Sequence, residues 1–371
     1  MNKIVKPVQF VYFDAGGGHR AAATALKAVI ERQSRPWEVT LVNLQELLRP
    51  LDIFRKITRF DLQDLYNLML SRGWTLGSAQ LLRVVHGILR LYHPAMLPLL
   101  KRHWIETKPA LVVSLVPNFN RVLFESLDQS CPFVTILTDF ADYPPHFWIE
   151  PQPQFVICGT DKAVEQARTL GYDESRIFHA SGMILRPHFY DQPLIDRAAE
   201  RKRLGLDPTR PTGIVLFGGQ GSGVMLEIAE RLRETQLILI CGKNTRLAGK
   251  LRAQPPAAPH FIEGFTSEIP YYMRLADFFV GKPGPGSISE AIAMKLPVIV
   301  ERNAWTLPQE RYNAQWVEER RVGIVLKNFR GITQAVDEML KSLDHYRAQA
   351  GKIENRAVFE IPEILERILS A

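Results

Sequence analysis

The sequence has few cysteines, no long uninterrupted apolar segment and one long stretch without acidic side chains. Its three cysteines among 371 residues are far apart and odd in number. We therefore expect reduced thiols in a reducing compartment, with no disulfide framework and no structural zinc site. No run of about 18 apolar residues is free of charge or proline, so we expect no transmembrane helix. The first predicted strand begins almost at once, so we also expect no secretory signal.

Acidic residues are absent from Leu65 to Ile105, in a chain whose net charge is +7. The basic and aromatic residues of this stretch include Arg72, Arg83, Arg90, Lys101, Arg102, Trp74, Tyr92 and Trp104. Basic charge beside leucines and aromatic rings favours peripheral binding to an anionic membrane surface, on the cytoplasmic side. The alternative is a helix packed on a sheet with a solvated basic stripe. No nucleic-acid-binding motif is present, so we expect no nucleic-acid partner.

Short apolar segments alternate with helical segments in both halves of the chain, which is typical of α/β domains with parallel sheets. The alternation is lost between Ser181 and Pro193. We therefore predict two domains, residues 1–187 and 188–353, and a final amphipathic helix at 354–371. Proline and glycine predict helix breaks in the first domain at Pro50, Gly73, Gly77 and Pro94.

A first glycine-rich loop follows the predicted strand from Val8 to Phe13 and precedes an alanine-rich helix. It reads Asp14-Ala15-Gly16-Gly17-Gly18-His19-Arg20. At the mouth of that helix, His19 could accept a proton near neutral pH. The alternative is a histidine that only hydrogen-bonds the loop. Asp139 follows another predicted strand, at the edge where open α/β sheets bind their ligands.

A second glycine-rich loop, Gly281-Lys282-Pro283-Gly284-Pro285-Gly286, lies between the predicted strand Ala276–Val280 and a helix with Ser287 or Ser289 as its N-cap. Free amides and the positive end of a helix form an anion site, and Lys282 adds a full charge. The polar residues Gln309, Glu310 and Asn313 follow the next strand. An ordinary βα turn is the alternative; the added polar cluster favours a diphosphate ligand with a polyhydroxylated end.

Taken together, in order and at their spacing, these motifs resemble one family. The matching segments are Asp14–Ala21, Cys241-Gly242-Lys243-Asn244, Lys282–Ala291 and Gln309-Glu310. Over nearly its whole length the chain resembles the monogalactosyldiacylglycerol synthases and related processive diacylglycerol glucosyltransferases, which are glycosyltransferase family 28-like. Its second domain also resembles the enzyme that adds N-acetylglucosamine to a lipid-linked peptidoglycan precursor. The resemblance implies a GT-B fold, in which two Rossmann-like, doubly wound α/β domains face a central cleft and the C-terminal helix crosses back to the first.

The resemblance also assigns roles to residues. In such enzymes the second domain holds a UDP-sugar, and here the donor-binding residues would be Gly218, Gly219, Gly221, Ser222, Gly242, Asn244, Phe265, Thr266, Lys282, Gly284, Pro285, Gly286, Ser287, Ile288, Glu290, Gln309, Glu310 and Asn313. Phe265 would meet the uracil and Glu290 the ribose. Gln309 and Glu310 would meet the sugar hydroxyls. The acceptor-binding residues would be Gly17, Gly18, His146 and Trp148. The chain departs from the family at Val116, where a histidine is frequent.

The expected function is inverting transfer of galactose or glucose from a UDP-sugar to diacylglycerol or a similar membrane lipid. We expect no cofactor and no required metal ion. The alternatives are a UDP-sugar epimerase of similar architecture and a non-catalytic lipid- or nucleotide-binding protein. His19 and Asp139 are the candidate catalytic residues. Because an exposed aspartate has a pKa near 4 and histidine one near 6.5, His19 is the expected base unless Asp139 is strongly desolvated.

Overall fold

The computed structural model describes residues 5–14, 17–51, 78–143, 146–191, 193–254 and 256–370, with only the backbone at 78–86 and 88. The first half of the chain forms a six-stranded parallel sheet. Its strands are β1 (Lys6–Tyr12), β2 (Trp37–Asn43), β3 (Leu111–Ser114), β4 (Phe133–Ile136), β5 (Phe155–Cys158) and β6 (Ile177–His179). Its helices are α1 (Gly18–Arg32), α2 (Leu44–Leu48), α3 (Ser78–Thr107), α4 (Asn120–Ser126) and α5 (Asp161–Thr169).

The strand order of this first sheet is β2-β1-β3-β4-β5-β6. β3 and β4 are buried along their whole length, as expected for β-branched segments covered by helices on both faces. The direction of strand addition reverses between β1 and β3, because β1 pairs with both β2 and β3. In open α/β sheets, ligands bind at the carboxyl ends of strands beside such a reversal.

The second half forms another six-stranded parallel sheet, in the order β12-β11-β10-β7-β8-β9. Its strands are β7 (Thr212–Leu216), β8 (Gln236–Ile240), β9 (His260–Glu263), β10 (Phe278–Gly281), β11 (Val298–Glu301) and β12 (Gly323–Leu326). Its helices are α6 (Arg197–Arg203), α7 (Val224–Arg231), α8 (Thr245–Arg252), α9 (Ile269–Leu275), α10 (Pro285–Ala293), α11 (Arg311–Glu319), α12 (Ile332–Lys341) and α13 (Leu343–Gly351). Its strand order reverses between β7 and β10, which places the loops after these two strands together.

The last helix, α14 (Ala357–Ser370), packs on the first domain, as the resemblance implied. Arg35 Nη1 lies 2.6 Å from Glu366 Oε2, and Lys6 Nζ donates to the carbonyl of Leu369 at 3.1 Å. The two chain segments that pass between the domains are joined, since Asn355 Nδ2 donates to the carbonyl of Met183 at 2.9 Å. The predicted division at residue 187 stays a prediction.

Three local predictions were wrong. α3 continues through Pro94 and Pro98 without a break. Both prolines lie on the exposed side of the helix, where water can bond the carbonyls that they leave free. α10 begins at Pro285 with Gly284 as its N-cap, not at a serine, because a proline at the first position already has a helical φ. Trp104 is buried and its indole N–H donates to Ser126, so it does not face a membrane.

The membrane expectation falls partly outside the described residues. Gly73, Gly77 and Arg72 lie among undescribed residues, and nothing is described of the Arg83 side chain. Within the ranges given above, no helix is long and apolar enough to cross a membrane.

A buried cluster of charge holds the second domain together below its sheet. Asp277 accepts from Arg201 at 2.7 Å, from Arg347 at 2.6 Å and from Arg197 at 3.1 Å. Its carboxylate also accepts from the main-chain N–H of Thr212 at 2.8 Å. Burial alone would raise the pKa of Asp277, but this hydrogen bond and the arginines lower it below its usual value.

We expect Asp277→Asn to destabilise the domain by about 3 kcal/mol, because it leaves the buried Arg201 guanidinium without its counter-charge. A folded-state pKa below the unfolded value stabilises the protein above about pH 4, and that stabilisation is lost as Asp277 is protonated in acid. The difference between variant and wild type in urea unfolding should therefore shrink below pH 4. Glu174→Gln, which breaks an exposed pair with Arg168, should cost much less stability than Asp277→Asn. Equal losses from the two variants would contradict the assignment.

Candidate functional site

The carboxyl ends of the two sheets face each other, and the candidate site lies between them. Asp139 comes from the loop after β4 in the first domain. Lys282 and Glu310 come from the loops after β10 and β11 in the second, and their charges act on the Asp139 carboxyl. Parallel sheets collect their strand-end loops at one edge, so this is where both domains place polar side chains.

The glycine loops after β7 and β8 interlock. The main-chain N–H of Lys243 donates to the carbonyl of Gly219 at 2.9 Å. A Cβ on Gly242 would lie 2.3 Å from that carbonyl oxygen, at a φ of +58°. A Cβ on Gly221 would lie 2.5 Å from the carbonyl oxygen of Cys241, at a φ of +62°. These glycines are therefore required by contact between the two loops, whatever the loops bind.

The mouth of α10 contains an ion pair beside free amides. The first turn of the helix leaves the main-chain N–H groups of Gly286 and Ser287 without an acceptor inside the helix. Lys282 Nζ donates to Glu310 Oε1 at 2.8 Å, and the Glu310 charge raises the pKa of Lys282. Gly284 leaves room for this pair, since a Cβ there would lie 3.3 Å from Lys282 Cε. Amides and an ammonium together suit an anion such as a diphosphate.

Two side chains of the polar cluster carry buried oxygens without partners. Among the described residues, neither Gln309 Oε1 nor Asn313 Oδ1 has a hydrogen-bond donor. Asn313 is fully buried and its Nδ2 donates to the carbonyl of Pro283 at 2.8 Å, so it shapes the loop. Buried acceptors normally find donors, and hydroxyl groups of a ligand could supply them.

Three further predicted donor-binding residues, Phe265, Glu290 and Asn244, differ in their surroundings. Phe265 is 67 % exposed, with Lys243 Nζ 5.4 Å from its ring centre, so its face is open to a planar ligand. Burial raises the pKa of Glu290 to about 7, against a lowering by the Arg186 charge. By contrast, Asn244 caps α8 by accepting from Leu247 at 2.9 Å.

Other predicted donor residues support the backbone at the helix mouths. The remaining residues of the glycine loops, Gly218 and Ser222, lie just before α7, and Pro285 is the first residue of α10. Ile288 is fully buried in the core beneath α10. Thr266 Oγ1 accepts from the N–H of Glu268, which tightens a turn. The structure brings all of these to the same edge of the sheet, and their contact with a ligand stays a prediction.

His19 is the second residue of α1, which follows the left-handed Gly17 at φ +79° and begins at Gly18. Its Nδ1 lies 3.2 Å from Thr138 Oγ1. Burial lowers the pKa of His19 to about 4, although a hydrogen bond with the backbone of Leu115 acts the other way. At neutral pH this imidazole is uncharged.

Asp139 is only 8 % exposed. Burial raises the pKa of its carboxyl to about 7, opposed by a hydrogen bond from Trp148; the Glu310 charge raises the pKa further and the Lys282 charge lowers it. The Trp148 indole N–H donates to Asp139 Oδ2 at 2.8 Å. From the sequence, His19 is the expected base unless Asp139 is strongly desolvated. The burial of Asp139 meets that condition.

Trp148 is fully buried and lies between the two candidate catalytic residues, its rings 5.7 Å from the His19 ring. It therefore orients Asp139 and does not offer its face to an acceptor. Asp142, which the sequence reasoning missed, accepts main-chain N–H bonds from His146, Trp148 and Ile149. His146 is exposed at a φ of +67° and is the one predicted acceptor residue of this loop open to solvent.

Comparison with known proteins identifies the family of the second domain. Residues 214–368 match the glycosyltransferase family 28 C-terminal domain. Monogalactosyldiacylglycerol synthase 2 of Arabidopsis thaliana is 25% identical over 98% of this chain and 81% of its own length. The monogalactosyldiacylglycerol synthase of Spinacia oleracea is 27% identical over 90% of this chain and 66% of its own length. The second domain is therefore of the glycosyltransferase family 28 C-terminal type, and the chain is a glycosyltransferase.

Solved structures confirm the GT-B fold of this glycosyltransferase. Acinetobacter baumannii MurG superposes with a TM-score of 0.60 at 11% identity, over 98% of this chain and 99% of that one. A putative UDP-N-acetylglucosamine 2-epimerase from Listeria monocytogenes gives 0.62 at 15% identity, over 100% and 97%. At such identities the likeness concerns the fold alone, which transferases and epimerases share.

No group of three or more histidine, cysteine, aspartate or glutamate side chains could hold a metal ion in the described part of the glycosyltransferase. The expectation that no metal ion or cofactor is required stays a prediction.

We expect Gly242→Ala to destabilise the second domain by at least about 1–2 kcal/mol, because alanine disfavours a left-handed φ and its Cβ would collide with Gly219. Gly249→Ala is the matched control. Gly249 is exposed in α8 with nothing within 4 Å of a Cβ, so the change should stabilise the helix by about 0.5–1 kcal/mol. Chemical unfolding measures the stability of both variants. Similar stabilities would contradict the requirement for close contact between the two glycine loops.

Proposed function

We propose that this glycosyltransferase moves a hexose from a UDP-sugar to the hydroxyl of diacylglycerol or a similar membrane lipid, with inversion at the anomeric carbon. The observation that supports this most is the buried Asp139 carboxyl opposite the Lys282–Glu310 pair. A group that accepts a proton near pH 7 there faces a site suited to a diphosphate. Relatives named as monogalactosyldiacylglycerol synthases support galactose and diacylglycerol as the first substrates to test.

In this reaction the acceptor oxygen forms a bond to the anomeric carbon while the bond from that carbon to the diphosphate oxygen breaks. The acceptor proton passes to the base, and UDP leaves with the electron pair. The free amides at α10 and the Lys282 ammonium are placed to stabilise the negative charge that develops on the diphosphate. We propose that this stabilisation needs no bound metal ion.

We propose Asp139 as the base. A base works best when its pKa lies near the working pH, and a carboxyl with a pKa of about 7 satisfies this. A histidine with a pKa of about 4 is uncharged at that pH but accepts a proton weakly. His19, held beside Thr138, then serves to orient the acceptor hydroxyl.

The donor would lie across the mouths of α7, α8 and α10. The exposed ring of Phe265 offers a stacking surface for uracil on the face away from Lys243, whose Nζ lies over the ring. The Glu290 carboxyl is placed at α10 to accept from the ribose hydroxyls. Gln309, with its unpaired Oε1, and Glu310 would meet the hexose hydroxyls.

We propose that the exposed face of α3 binds anionic membranes. Arg90, Leu91, Lys101, Arg102 and Ile105 are all exposed there and recur at helical spacing. Arg102 is partly neutralised by Glu106, 2.9 Å away, so Arg90 and Lys101 are the better charge carriers. A surface of basic and apolar side chains would bring the cleft to a lipid acceptor.

The proposed function is tested by incubating the protein with UDP-galactose or UDP-glucose and diacylglycerol in anionic vesicles, followed by mass spectrometry of lipids and nucleotides. We expect a lipid carrying added hexose, and none with Lys282→Met, which removes the ammonium at the diphosphate site. An epimerised nucleotide sugar without glycolipid would instead support an epimerase. Binding of UDP-sugars without any turnover would support a non-catalytic protein.

The pH dependence of turnover tests the base. Because Asp139 must be ionised to accept a proton, wild-type turnover should rise with pH through about 7 and then level off. Asp139→Asn should lose about 10²–10⁴ in turnover and lose this limb. His19→Ala should be slower but keep the limb. Loss of the limb in His19→Ala and its survival in Asp139→Asn would reverse the roles.

Vesicle co-sedimentation tests the membrane face. Each basic residue near an anionic surface contributes about 1 kcal/mol, so neutralising Arg90 and Lys101 with glutamine should weaken binding roughly 30-fold. The matched control is the double neutralisation of Lys162 and Arg168, on α5 of the same domain. Equal binding of the two double variants to anionic vesicles would show that α3 faces elsewhere.

A further inference from the structure

One side of α11 makes a row of contacts with the first domain. Tyr312 and Trp316 of this helix and its C-cap residue Arg320 are spaced by four residues and so lie on one face. The Trp316 ring lies 4.9 Å from the Phe140 ring, at an interplanar angle of 67°. The Tyr312 ring lies 6.3 Å from that of Tyr143. We call Tyr312, Trp316 and Arg320 the docking row.

The row ends in an ion pair at the start of α5. Arg320 Nη2 lies 3.0 Å from Asp161 Oδ2. Both side chains are about half exposed or more, so this pair contributes little on its own and serves to orient α5. Phe140 and Trp316 are the most buried of the residues that make these contacts, at 2 % and 9 % exposure.

Phe140 is held from both domains. Its side chain is 2 % exposed and packs in the hydrophobic core of the second domain, although the residue belongs to the first. Its carbonyl accepts from the hydroxyl of Thr160, which is also the N-cap of α5 in the first domain. A backbone fixed to one domain and a ring fixed to the other leave little freedom for the neighbouring residue, Asp139.

We propose that Phe140 is a positioning residue: its contact with Trp316 sets the Asp139 carboxyl at a fixed place relative to the Lys282–Glu310 pair. α11 begins directly after the turn Pro308–Glu310, so the docking row and the proposed sugar-binding residues move as one unit. The position of the proposed base, Asp139, is thereby set by the second domain, which would hold the donor. This inference rests on the proposed function.

The geometry matters because a transfer reaction requires the base, the acceptor oxygen and the anomeric carbon to be aligned. A displacement of about 1 Å can cost roughly 100-fold in rate. Without the docking contact, Asp139 would follow the movements of the first domain. The donor site, which lies in the second domain, would stay intact.

The experiment compares Phe140→Leu and Phe140→Ala with Phe133→Leu. Phe133 is equally buried at the opposite end of β4, so it controls for lost core volume. We expect Phe140→Ala to lose roughly 10- to 100-fold in kcat, and Phe140→Leu less, with an unchanged KM for the UDP-sugar. The kcat of Phe133→Leu should stay within about twofold of wild type, even if its melting temperature falls as much as that of Phe140→Leu.

The pH profile separates positioning from stability. Asp139 faces Trp148 and Asp142 in its own loop, and Glu310 and Lys282 across the cleft. Releasing Phe140 would admit water to the carboxyl, so the acid limb of kcat should move to lower pH. Unchanged kcat and an unmoved limb in Phe140→Ala, with lower stability alone, would overturn the proposal.

Amide hydrogen exchange provides a test that needs no turnover. Phe140→Leu should speed exchange in both 139–143 and 311–319, whereas Phe133→Leu should leave 311–319 unchanged. If faster exchange is confined to the first domain in both variants, the proposed role of Phe140 in docking the two domains is overturned. If the wild type shows no transfer at all, the proposed function fails, and this measurement still decides whether the row couples the domains.

Discussion

The site depends on one buried carboxyl held against charges of the other domain. Removing Asp139 from water would be costly for an ionised aspartate, and the Trp148 indole supplies a single hydrogen bond to it. The Lys282 charge that could favour ionisation is already bonded to Glu310. Burial thus raises the pKa of this carboxyl to about 7, which suits the base that we propose. The charged groups around Asp139 come from both domains, so neither domain alone would give this carboxyl the same environment.

The second domain provides the proposed anion site through backbone geometry. The reversal of strand order between β7 and β10 brings together the glycine loops and the mouth of α10. Close contact between Gly219 and Gly242 keeps these loops in register without any ligand. Such a site can bind a diphosphate with little reorganisation, which is the condition for electrostatic stabilisation of a leaving group.

Local sequence patterns predicted the two sheets, the glycine loops and the helix mouths, because these follow from spacing of apolar residues and from glycine. Contacts between residues far apart in the sequence do not follow from such local patterns. Nothing near Trp104 in the sequence reveals Ser126, so a tryptophan in a basic stretch was taken for a membrane residue. Likewise, the pKa of Asp139 depends on burial, on Trp148 and on the charges of Glu310 and Lys282, which are distant in the sequence. α3 continues through Pro94 since both its prolines face solvent, and that orientation is set by tertiary packing.

The stereochemistry of the product tests the central claim most directly, that a base in the first domain removes the acceptor proton while UDP leaves from the second. An α-linked UDP-hexose should give a β-linked glycolipid, since attack comes from the face opposite the diphosphate. The anomeric coupling constant in the proton NMR spectrum of the purified lipid distinguishes the two configurations. A β-linked product is the predicted result, and an α-linked product would contradict the account.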